Sequence, residues 1–328
     1  MVDERILAGF AAKNVLVTGG TGLIGRQVVD LLVGAGAQVV IVSLDRLAVN
    51  EKARHITGDL TSFDFCREIV SEADFVFHLA GVQGTVQTSS SKLASHFVPT
   101  LMVNTNILEA ARLSGVEGLV YTSSIGAYED KEILREKDYS IGSNPMSFAG
   151  WAKRMAELQI HAYKRQYGID SFSVVRLANI YGPGDNFDPE TAMVIPSLMA
   201  RIHRGEQPLT VWGDGSAVRD FLYSGDAAEG IIRALHFGTE GEFINIGSGR
   251  GTTIREVVET LRSFIDFDYV FDPDKPSGAP VRVMDIAVAR ARLGFAPAVA
   301  LAEGLRRTWQ WFVSHPKEYE GRLNYFLR

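Results

Sequence analysis

The sequence predicts an α/β fold, a doubly wound parallel sheet with a smaller C-terminal α+β domain. Two observations support this fold class. In the first half of the chain, short β-branched runs alternate with helical patterns of apolar residues, as a parallel sheet with crossover helices requires. A glycine-rich turn joins the first predicted strand to the first predicted helix. Beyond Pro183 this alternation loosens into shorter elements separated by loops.

Each element of the first half follows from its own residue pattern. Short runs rich in valine and isoleucine predict strands, and longer stretches with apolar residues at helical spacing predict helices. The predicted strands cover residues 14–18, 39–43, 74–79, 118–124 and 171–178, and the predicted helices cover residues 22–33, 92–114 and 147–167.

The second half is predicted to continue with a loop and further helices between short strands. The loop, residues 182–189, is rich in glycine, aspartate, asparagine and proline. The predicted helices cover residues 193–204, 226–237, 253–264 and 302–312. We therefore expect two domains: residues 1–180, completed by parts of 221–248, and mostly residues 181–328.

Composition narrows the classes of function. The 328 residues carry 33 Lys and Arg against 39 Asp and Glu, a net charge of −6, which argues against general nucleic-acid binding. The lone Cys66 excludes an internal disulfide framework and a multi-cysteine zinc site, so we expect a reducing compartment and no metal. Since no run approaches the ~18 apolar residues of a membrane span, we expect a soluble cytoplasmic protein without a membrane partner.

The glycine-rich turn predicts a dinucleotide-binding site of the Rossmann type. Gly19, Gly22 and Gly25 satisfy the G-x-x-G-x-x-G spacing between a strand and a helix. Glycines permit a tight turn and close backbone approach, while the helix start around Leu23 and Ile24 offers unpaired N–H groups to a pyrophosphate. The alternative is a purely structural turn.

Acidic and small residues at later strand ends extend this predicted site. Asp45 lies 20 residues after Gly25, where a carboxylate accepts hydrogen bonds from the adenosine ribose and favours NAD over NADP. Arg46 would instead attract the 2′-phosphate of NADP, so NADP remains an alternative cofactor. A solvated loop position remains the alternative role for Asp45. The ends of the next two strands supply the other predicted cofactor contacts, which are Asp59, Leu60, Leu79, Ala80 and Gly81.

Several motifs in order resemble one protein family over almost the whole chain. They are Thr18-Gly-Gly-Thr-Gly-Leu-Ile-Gly25, Thr122-Ser-Ser124 with Tyr128, Arg176-Leu-Ala-Asn-Ile-Tyr-Gly-Pro183, Arg219-Asp-Phe-Leu-Tyr223 and Asn245-Ile-Gly-Ser248. Together they resemble the extended short-chain dehydrogenase/reductase family of nucleotide-sugar epimerases, dehydratases and reductases. Residues 185–188 and 275–280 look most like the GDP-fucose synthase branch.

The resemblance implies hydride transfer between NAD(P) and a sugar carbon, usually C4. In that family a Tyr-x-x-x-Lys pair and a Ser or Thr carry the proton chemistry. Ser124 and Lys153 match the Ser and the Lys, but the tyrosine position is Ala149. Substitutes for the tyrosine are Tyr128, Thr122, Ser124 or a water. Packing is the alternative role for Tyr128, and a solvated helix position is the alternative for Lys153.

Further departures from the family disfavour two reactions. The 4,6-dehydratases place Asp-Glu directly after the catalytic Thr, where this chain has Ile125 and Gly126. GDP-fucose synthases use a Cys and a His for 3,5-epimerisation, and the matching positions are Gly126 and Met193. Cys66 lies away from those motifs and is expected to pack. A net dehydrogenase or reductase, or a C4 epimerase, remains.

The resemblance also implies a site for the substrate diphosphate. Arg219 and Asn179 match the family residues that bind it, with a surface ion pair as the alternative for Arg219. Val194 lies in the GDP-fucose synthase-like segment. Lys275 and Arg282 would close over the nucleotide, or belong to a solvated loop.

Two expectations concern assembly and activity. The helices predicted at residues 92–114 and 147–167 resemble those of a four-helix homodimer interface in this family. Because Ala149 replaces the tyrosine, a second hypothesis is a non-catalytic dinucleotide-binding sensor with the same fold.

Overall fold

The computed structural model describes residues 3–82, 92–140, 143–188, 191–240, 242–316 and 318. Its strands, numbered along the chain, vary from two to seven residues in length. They are β1 Asn14–Thr18, β2 Gln38–Ser43, β3 Arg54–Thr57, β4 Phe75–His78, β5 Gly118–Ser124, β6 Ile133–Leu134, β7 Phe172–Leu177, β8 Asn179–Tyr181, β9 Leu209–Trp212, β10 Val218–Tyr223, β11 Phe243–Ile246, β12 Gly251–Thr253, β13 Tyr269–Asp272 and β14 Val281–Met284.

The helices include every one that the sequence predicted. They are α1 Glu4–Ala8, α2 Gly25–Gly34, α3 Phe63–Val70, α4 Leu93–Ser114, α5 Phe148–Tyr167, α6 Val194–His203, α7 Ser224–Phe237, α8 Ile254–Arg262, α9 Ala287–Leu293 and α10 Leu301–Ser314. Within the described ranges, no helix is long and apolar enough to cross a membrane.

The main sheet has seven strands, all paired in parallel, in the order β11-β7-β5-β4-β1-β2-β3. This is the predicted doubly wound fold. The strand order reverses at β1. Strands β2 and β3 lie on one side of β1, and the chain then crosses over to β4, which lies on the other side. Ligands of such sheets bind at the carboxyl ends of the strands near this reversal. The turns that follow β1, β2, β3, β4 and β5 therefore meet at the edge of the sheet formed by the carboxyl ends of its strands.

The second half forms smaller sheets and a separate apolar core. Strands β12, β10, β14 and β6 pair in that order, β8 joins β10, and β9 pairs with β13. The second core includes Tyr181, Phe187, Met199, Val257 and Leu305. Strand β11 lies at the edge of the main sheet, next to β7. The proposed division at residue 180 stays a prediction.

Helix α2 begins three residues later than predicted. The Gly22 N–H donates to the Gly19 carbonyl over 3.0 Å, so residues 22–24 form a turn before the helix. No side chain caps the start of α2. In the first turn of this helix, the Arg26 N–H donates to the Gly22 carbonyl at 3.1 Å, so the turn leads directly into the helix.

Candidate active site

The glycine-rich loop is built by close backbone contacts. Gly19 has φ +69°, and a Cβ there would lie 2.9 Å from the Cα of Ala80. A Cβ on Gly25 would lie 2.2 Å from the Gly19 carbonyl oxygen. A Cβ on Gly22 would approach the same oxygen at 3.2 Å. Only glycine fits at residues 19 and 25, because any side chain would push the loop away from β4 or from α2.

Asp45 lies at the end of β2 and faces this loop. Its carboxylate accepts hydrogen bonds from the Thr21 hydroxyl at 2.9 Å and from the Leu47 N–H at 3.0 Å. Arg46, next in the chain, is exposed. Asp59 follows β3, and its carboxylate accepts from the Thr61 N–H. The structure thus fixes the orientation of the Asp45 carboxylate through Thr21, a contact that sequence reasoning did not include.

The end of β4 is held against β1. The Ala80 N–H donates to the Thr18 hydroxyl at 3.2 Å, and the Leu79 N–H donates to the Thr18 carbonyl. His78 is fully buried, and burial lowers its pKa to about 3. These contacts bring Leu79 and Ala80 beside Gly19 of the glycine-rich loop. That Leu79, Ala80 and Gly81 contact a cofactor stays a prediction.

Lys153 extends from α5 to the ends of β4 and β5. Its Nζ donates to the Thr122 carbonyl at 2.8 Å and lies 3.4 Å from where a Cβ on Gly81 would stand. Burial lowers the pKa of the ammonium to about 8. The Lys153 ammonium is thus a hydrogen-bond donor held between the ends of β4 and β5. The alternative of a solvated helix lysine does not agree with this position.

Three consecutive hydroxyls end β5, and two of them donate to protein acceptors. Thr122 donates to the His78 carbonyl at 3.1 Å, and Ser123 donates to the Glu157 carboxylate at 2.5 Å. The Ser124 oxygen accepts a hydrogen bond from the Gly126 N–H at 3.2 Å. Among the described residues, no acceptor takes the Ser124 proton. Ser124 is therefore the hydroxyl of this strand end that is suited to contact a substrate.

The Tyr128 side chain packs in the core. It is buried, its hydroxyl donates to the Asn245 side chain at 2.9 Å, and the Arg176 guanidinium lies over its ring. Burial raises the pKa of this phenol well above its usual value. The structure thus corrects the expectation of a catalytic Tyr128, because its proton is held inside the core.

The turn after Ser124 packs directly on the start of α5. A Cβ on Gly150 would lie 2.0 Å from the Gly126 carbonyl oxygen, so glycine at 150 lets the two backbones meet. Ala149 lies in this first turn of α5, one helical turn before Lys153. This is the position at which the family tyrosine is expected. That Ala149 takes the place of a catalytic tyrosine beside Ser124 and Lys153 stays a prediction.

Arg219 and Arg282 form a pair of cations on neighbouring strands. They are register partners in β10 and β14. Arg219 donates to the Val218 and Ser277 carbonyls, while Arg282 donates to the Asp130 carboxylate at 2.9 Å. Burial and the nearby Arg282 lower the pKa of Arg219. Among the described residues, Asp130 pairs with Arg282 and not with Arg219, so the two adjacent guanidiniums form a site suited to an anion.

Two of the other predicted substrate residues, Asn179 and Lys275, lie near this pair. The Asn179 side chain donates to the Asp220 carbonyl at 3.0 Å, beside Arg219. Lys275 is exposed in the loop that carries the Ser277 carbonyl. Val194, by contrast, is partly buried against the second core. The structure brings Asn179, Arg219 and Arg282 together and leaves Val194 without a contact to them.

A buried ion pair supports the strand end behind Ser124. Arg176 donates to Glu157 over 2.6 and 2.9 Å, and both side chains are buried. Glu157 lies one helical turn after Lys153 and also accepts from Ser123. This pair ties α5 to β5 and β7. Sequence reasoning missed it because the partners lie 19 residues apart on different elements.

Cys66 is buried in α3, where its thiol donates to the Leu60 carbonyl at 3.2 Å. Burial raises the pKa of the thiol to about 12. This agrees with the expected packing role.

Comparisons with known proteins agree with this geometry. The model of the NAD dependent epimerase/dehydratase family matches residues 15–247. The chain is 31% identical over 320 residues to a protein named probable GDP-L-fucose synthase 1 of Oryza sativa subsp. japonica, covering 92% of both chains. It is also 31% identical to a putative UDP-glucose 4-epimerase of Methanocaldococcus jannaschii, covering 92% of this chain and 99% of the relative.

The similarity extends to solved structures. The UDP-glucose 4-epimerase of Thermotoga maritima, solved with UDP-glucose, superposes with a TM-score of 0.83 at 29% identity. The superposition covers 93% of this chain and all of that one. The same fold is thus found in a protein solved with a nucleotide sugar.

Proposed function

This chain belongs to the NAD dependent epimerase/dehydratase family, and from that premise we propose that it transfers hydride between NAD and one carbon of a nucleotide-diphospho-sugar. C4 is the carbon we propose. The position of Lys153 carries the proposal. Its Nζ lies beside Gly81, at the ends of β4 and β5, on the side of the sheet that holds the glycine-rich loop.

The residues present fit a dinucleotide. Alanine at 19 or 25 would fill the space in which the backbone of the loop approaches its neighbours, and α2 begins without a side-chain cap. These features favour the binding of a pyrophosphate at the N-terminal N–H groups of α2. The nicotinamide, when bound, supplies the acceptor or donor for hydride. Every other part of the reaction falls to residues of the chain.

Ser124 and Lys153 have distinct roles in this proposal. The ammonium of Lys153 holds the nicotinamide ribose and adds positive charge beside the reacting oxygen. The Ser124 hydroxyl orients the sugar hydroxyl that becomes a carbonyl. Since a serine hydroxyl is too weak a base to take a proton at neutral pH, another group must receive it.

The proposed reaction is a net oxidation or reduction, or a C4 epimerisation. The 4,6-dehydratase reaction needs an acid pair directly after the strand end, and Ile125 and Gly126 are there. The 3,5-epimerisation needs two proton-transferring side chains, and Gly126 and Met193 are at their positions. Both reactions are disfavoured because neither glycine, isoleucine nor methionine transfers a proton.

The substrate diphosphate is proposed to bind at Arg219 and Arg282. Replacing Arg219 by methionine is expected to raise the KM for the nucleotide sugar about 10–100-fold, since a hydrogen bond to a charged group contributes about 1.5–3 kcal/mol. The kcat should change less. Arg262→Met, on an exposed face of α8, is the matched control. An unchanged KM in Arg219→Met would remove this residue from the substrate site.

The NAD preference is proposed to depend on the Asp45 carboxylate that Thr21 holds. Replacing Asp45 by serine is expected to improve NADP binding relative to NAD about tenfold or more, because a negative charge that repels a 2′-phosphate is removed. The ratio of the two dissociation constants is the measurement. Asp64→Asn, an exposed acid of α3, should leave that ratio unchanged. Equal ratios in Asp45→Ser and the unmodified protein would contradict the assignment.

A homodimer is proposed to form through α4 and α5. Both helices expose apolar side chains, including Val98, Met102 and Leu113 on α4. Replacing Met102 by aspartate is expected to produce monomers, since a buried unpaired charge at such an interface is strongly unfavourable. Light scattering gives the mass. Met193→Asp, equally exposed but outside these helices, should stay dimeric. A monomeric unmodified protein would contradict the proposal.

The experiment on activity uses a panel of GDP-, UDP-, dTDP- and CDP-sugars with NAD and with NADH. We expect one of them to change the nicotinamide absorbance or to yield an isomerised sugar, and Ser124→Ala to lose about 100-fold or more of that turnover. Ser71→Ala, at the end of α3, is the control. Tight NAD binding with no sugar bound or converted would instead favour the alternative of a non-catalytic sensor, to which Ala149 lends support.

A further inference from the structure

The Lys153 side chain is held by two neighbouring residues of β5. Its Nζ donates to the Thr122 carbonyl at 2.8 Å and lies over the Tyr121 ring, 5.3 Å from the ring centre. An aromatic face attracts a cation, and the attraction is stronger where water is excluded. Tyr121 is fully buried. One backbone oxygen and one ring face therefore hold the ammonium in place.

The Tyr121 hydroxyl contacts the same lysine at its backbone. It donates to the Lys153 carbonyl at 3.4 Å, and it accepts from the Asn104 side-chain nitrogen at 3.0 Å. Burial raises the pKa of the phenol well above its usual value, so the hydroxyl keeps the proton that it donates. Tyr121 thus contacts Lys153 twice, at the ammonium through its ring and at the main chain through its hydroxyl.

The contacts of Asn104, on α4, fix the orientation of its side-chain amide. Its nitrogen donates to the Ala152 carbonyl at 3.4 Å, and a carbonyl can only accept. The side-chain oxygen lies 3.1 Å from Nε2 of His78. Because this oxygen also can only accept, the His78 proton is on Nε2. Asn104 thus joins His78, at the end of β4, to Tyr121.

The remaining links complete a chain of hydrogen bonds that all run in one direction. With its proton on Nε2, His78 accepts at Nδ1 from the Thr18 hydroxyl at 2.7 Å. The Thr18 oxygen accepts in turn from the Ala80 N–H at 3.2 Å. The chain begins at an N–H that can only donate and ends at carbonyls that can only accept, so its direction cannot reverse. Burial lowers the pKa of His78 to about 3, so the ring stays neutral and the chain is unchanged near pH 7.

We propose that Tyr121, oriented by Asn104 and His78, is the positioning residue of Lys153, an inference that rests on the proposed function. The ring holds the ammonium at the ends of β4 and β5, and the hydroxyl fixes the turn of α5 from which the side chain extends. A reacting group misplaced by about 1 Å can cost about 100-fold in rate. The effect of Tyr121 on the reaction therefore passes through Lys153.

The first test is a double-mutant cycle of Tyr121→Phe with Lys153→Met. Phenylalanine keeps the ring and removes only the hydroxyl, so kcat should fall about tenfold while the KM for the sugar changes less than about threefold. In the Lys153→Met background the same substitution should change kcat less than about twofold, because the group that Tyr121 positions is gone. Tyr269→Phe, a ring of β13 that lies under Arg262, is the matched control. Equal losses in the two backgrounds, or an unchanged kcat in Tyr121→Phe, would overturn the inference.

The second test measures the Lys153 ammonium without turnover. The side chain is part-exposed, so its rate of acetylation by acetic anhydride, followed by mass spectrometry at a series of pH values, gives its pKa. Tyr121→Leu should lower that pKa by about 0.5 or more, because the ring face stabilises the charged form and leucine replaces it with apolar atoms. Tyr121→Phe should leave the pKa unchanged. Glu157, His78 and His96 also interact electrostatically with Lys153 and stay in place in both variants.

The inference and the proposed function fail separately. A folded Tyr121→Leu in which the Lys153 pKa is unmoved or raised would overturn the role of the ring, and the proposed function would survive. If Tyr121→Leu does not fold, the cycle with Tyr121→Phe decides alone. A protein that converts no sugar would refute the proposed function, while the acetylation profile would still test the contact between Tyr121 and Lys153.

Discussion

Replacing Gly25 by alanine is expected to weaken NAD binding about 100-fold or more. A Cβ at this position would lie 2.2 Å from the Gly19 carbonyl oxygen and 2.6 Å from the Gly20 Cα. Because both atoms belong to the backbone, relief requires the loop to move away from α2. Such overpacking costs about 1–3 kcal/mol or more, and the loop that would cradle the pyrophosphate takes the displacement. Calorimetric titration with NAD measures the effect.

Gly34→Ala is the matched control for this prediction. Gly34 lies in the last turn of the same helix, and a Cβ there would meet no atom within 4 Å. Alanine at 34 should leave NAD binding unchanged and stabilise the helix by about 0.5–1 kcal/mol. NAD binding by Gly25→Ala within about threefold of the unmodified protein would contradict the role assigned to the glycine-rich loop.

Replacing Lys153 by methionine is expected to lower turnover about 10²–10³-fold, the usual cost of removing one preorganised donor. The same substitution should stabilise the protein at pH 7. Burial lowers the pKa of Lys153 to about 8 from its usual value of 10.5, so folding opposes its charge below pH 8, and that penalty disappears as pH rises toward 10.5. The unmodified protein should therefore become more stable as pH rises from about 8 to 10.5, and the stability of Lys153→Met should increase less over the same pH range.

In Lys153→Met, turnover is expected to fall while stability at pH 7 rises. A residue with only a structural role would not show these opposite changes. Turnover should also fall in the unmodified protein as pH rises through about 8, where the ammonium loses its proton. Lys164→Met, further along α5, is the control and should change neither quantity much, because that side chain is part-exposed and bonds the Glu240 carbonyl and Asp170. A Lys153→Met variant that is both less stable and fully active would contradict the account.

The local parts of this fold could be predicted from sequence because their causes are local. The strand, glycine turn and helix around residue 19 follow from spacing alone, as does the end of β5 at Ser124. The start of α2 could not be placed, because the Gly22 N–H bonds back to Gly19 and keeps three residues out of the helix. Tyr128 was misjudged because its burial depends on Asn245 and Arg176, which are distant in the chain.

The features that complete the site come from long-range packing. Arg219 and Arg282 become neighbours only through the parallel pairing of β10 with β14. Patterns along the chain therefore predict strands, turns and helices better than they predict which side chains of distant elements become neighbours.

Deuterium transfer tests the central claim most directly. The unmodified protein, in excess over a nucleotide sugar deuterated at C4, is mixed with NAD and quenched within one turnover. The account predicts that mass spectrometry finds deuterium on the reduced nicotinamide or, after a full epimerisation cycle, returned to the sugar at an inverted C4. Binding of both NAD and the sugar with deuterium retained at an uninverted C4 for every sugar of the panel would contradict it.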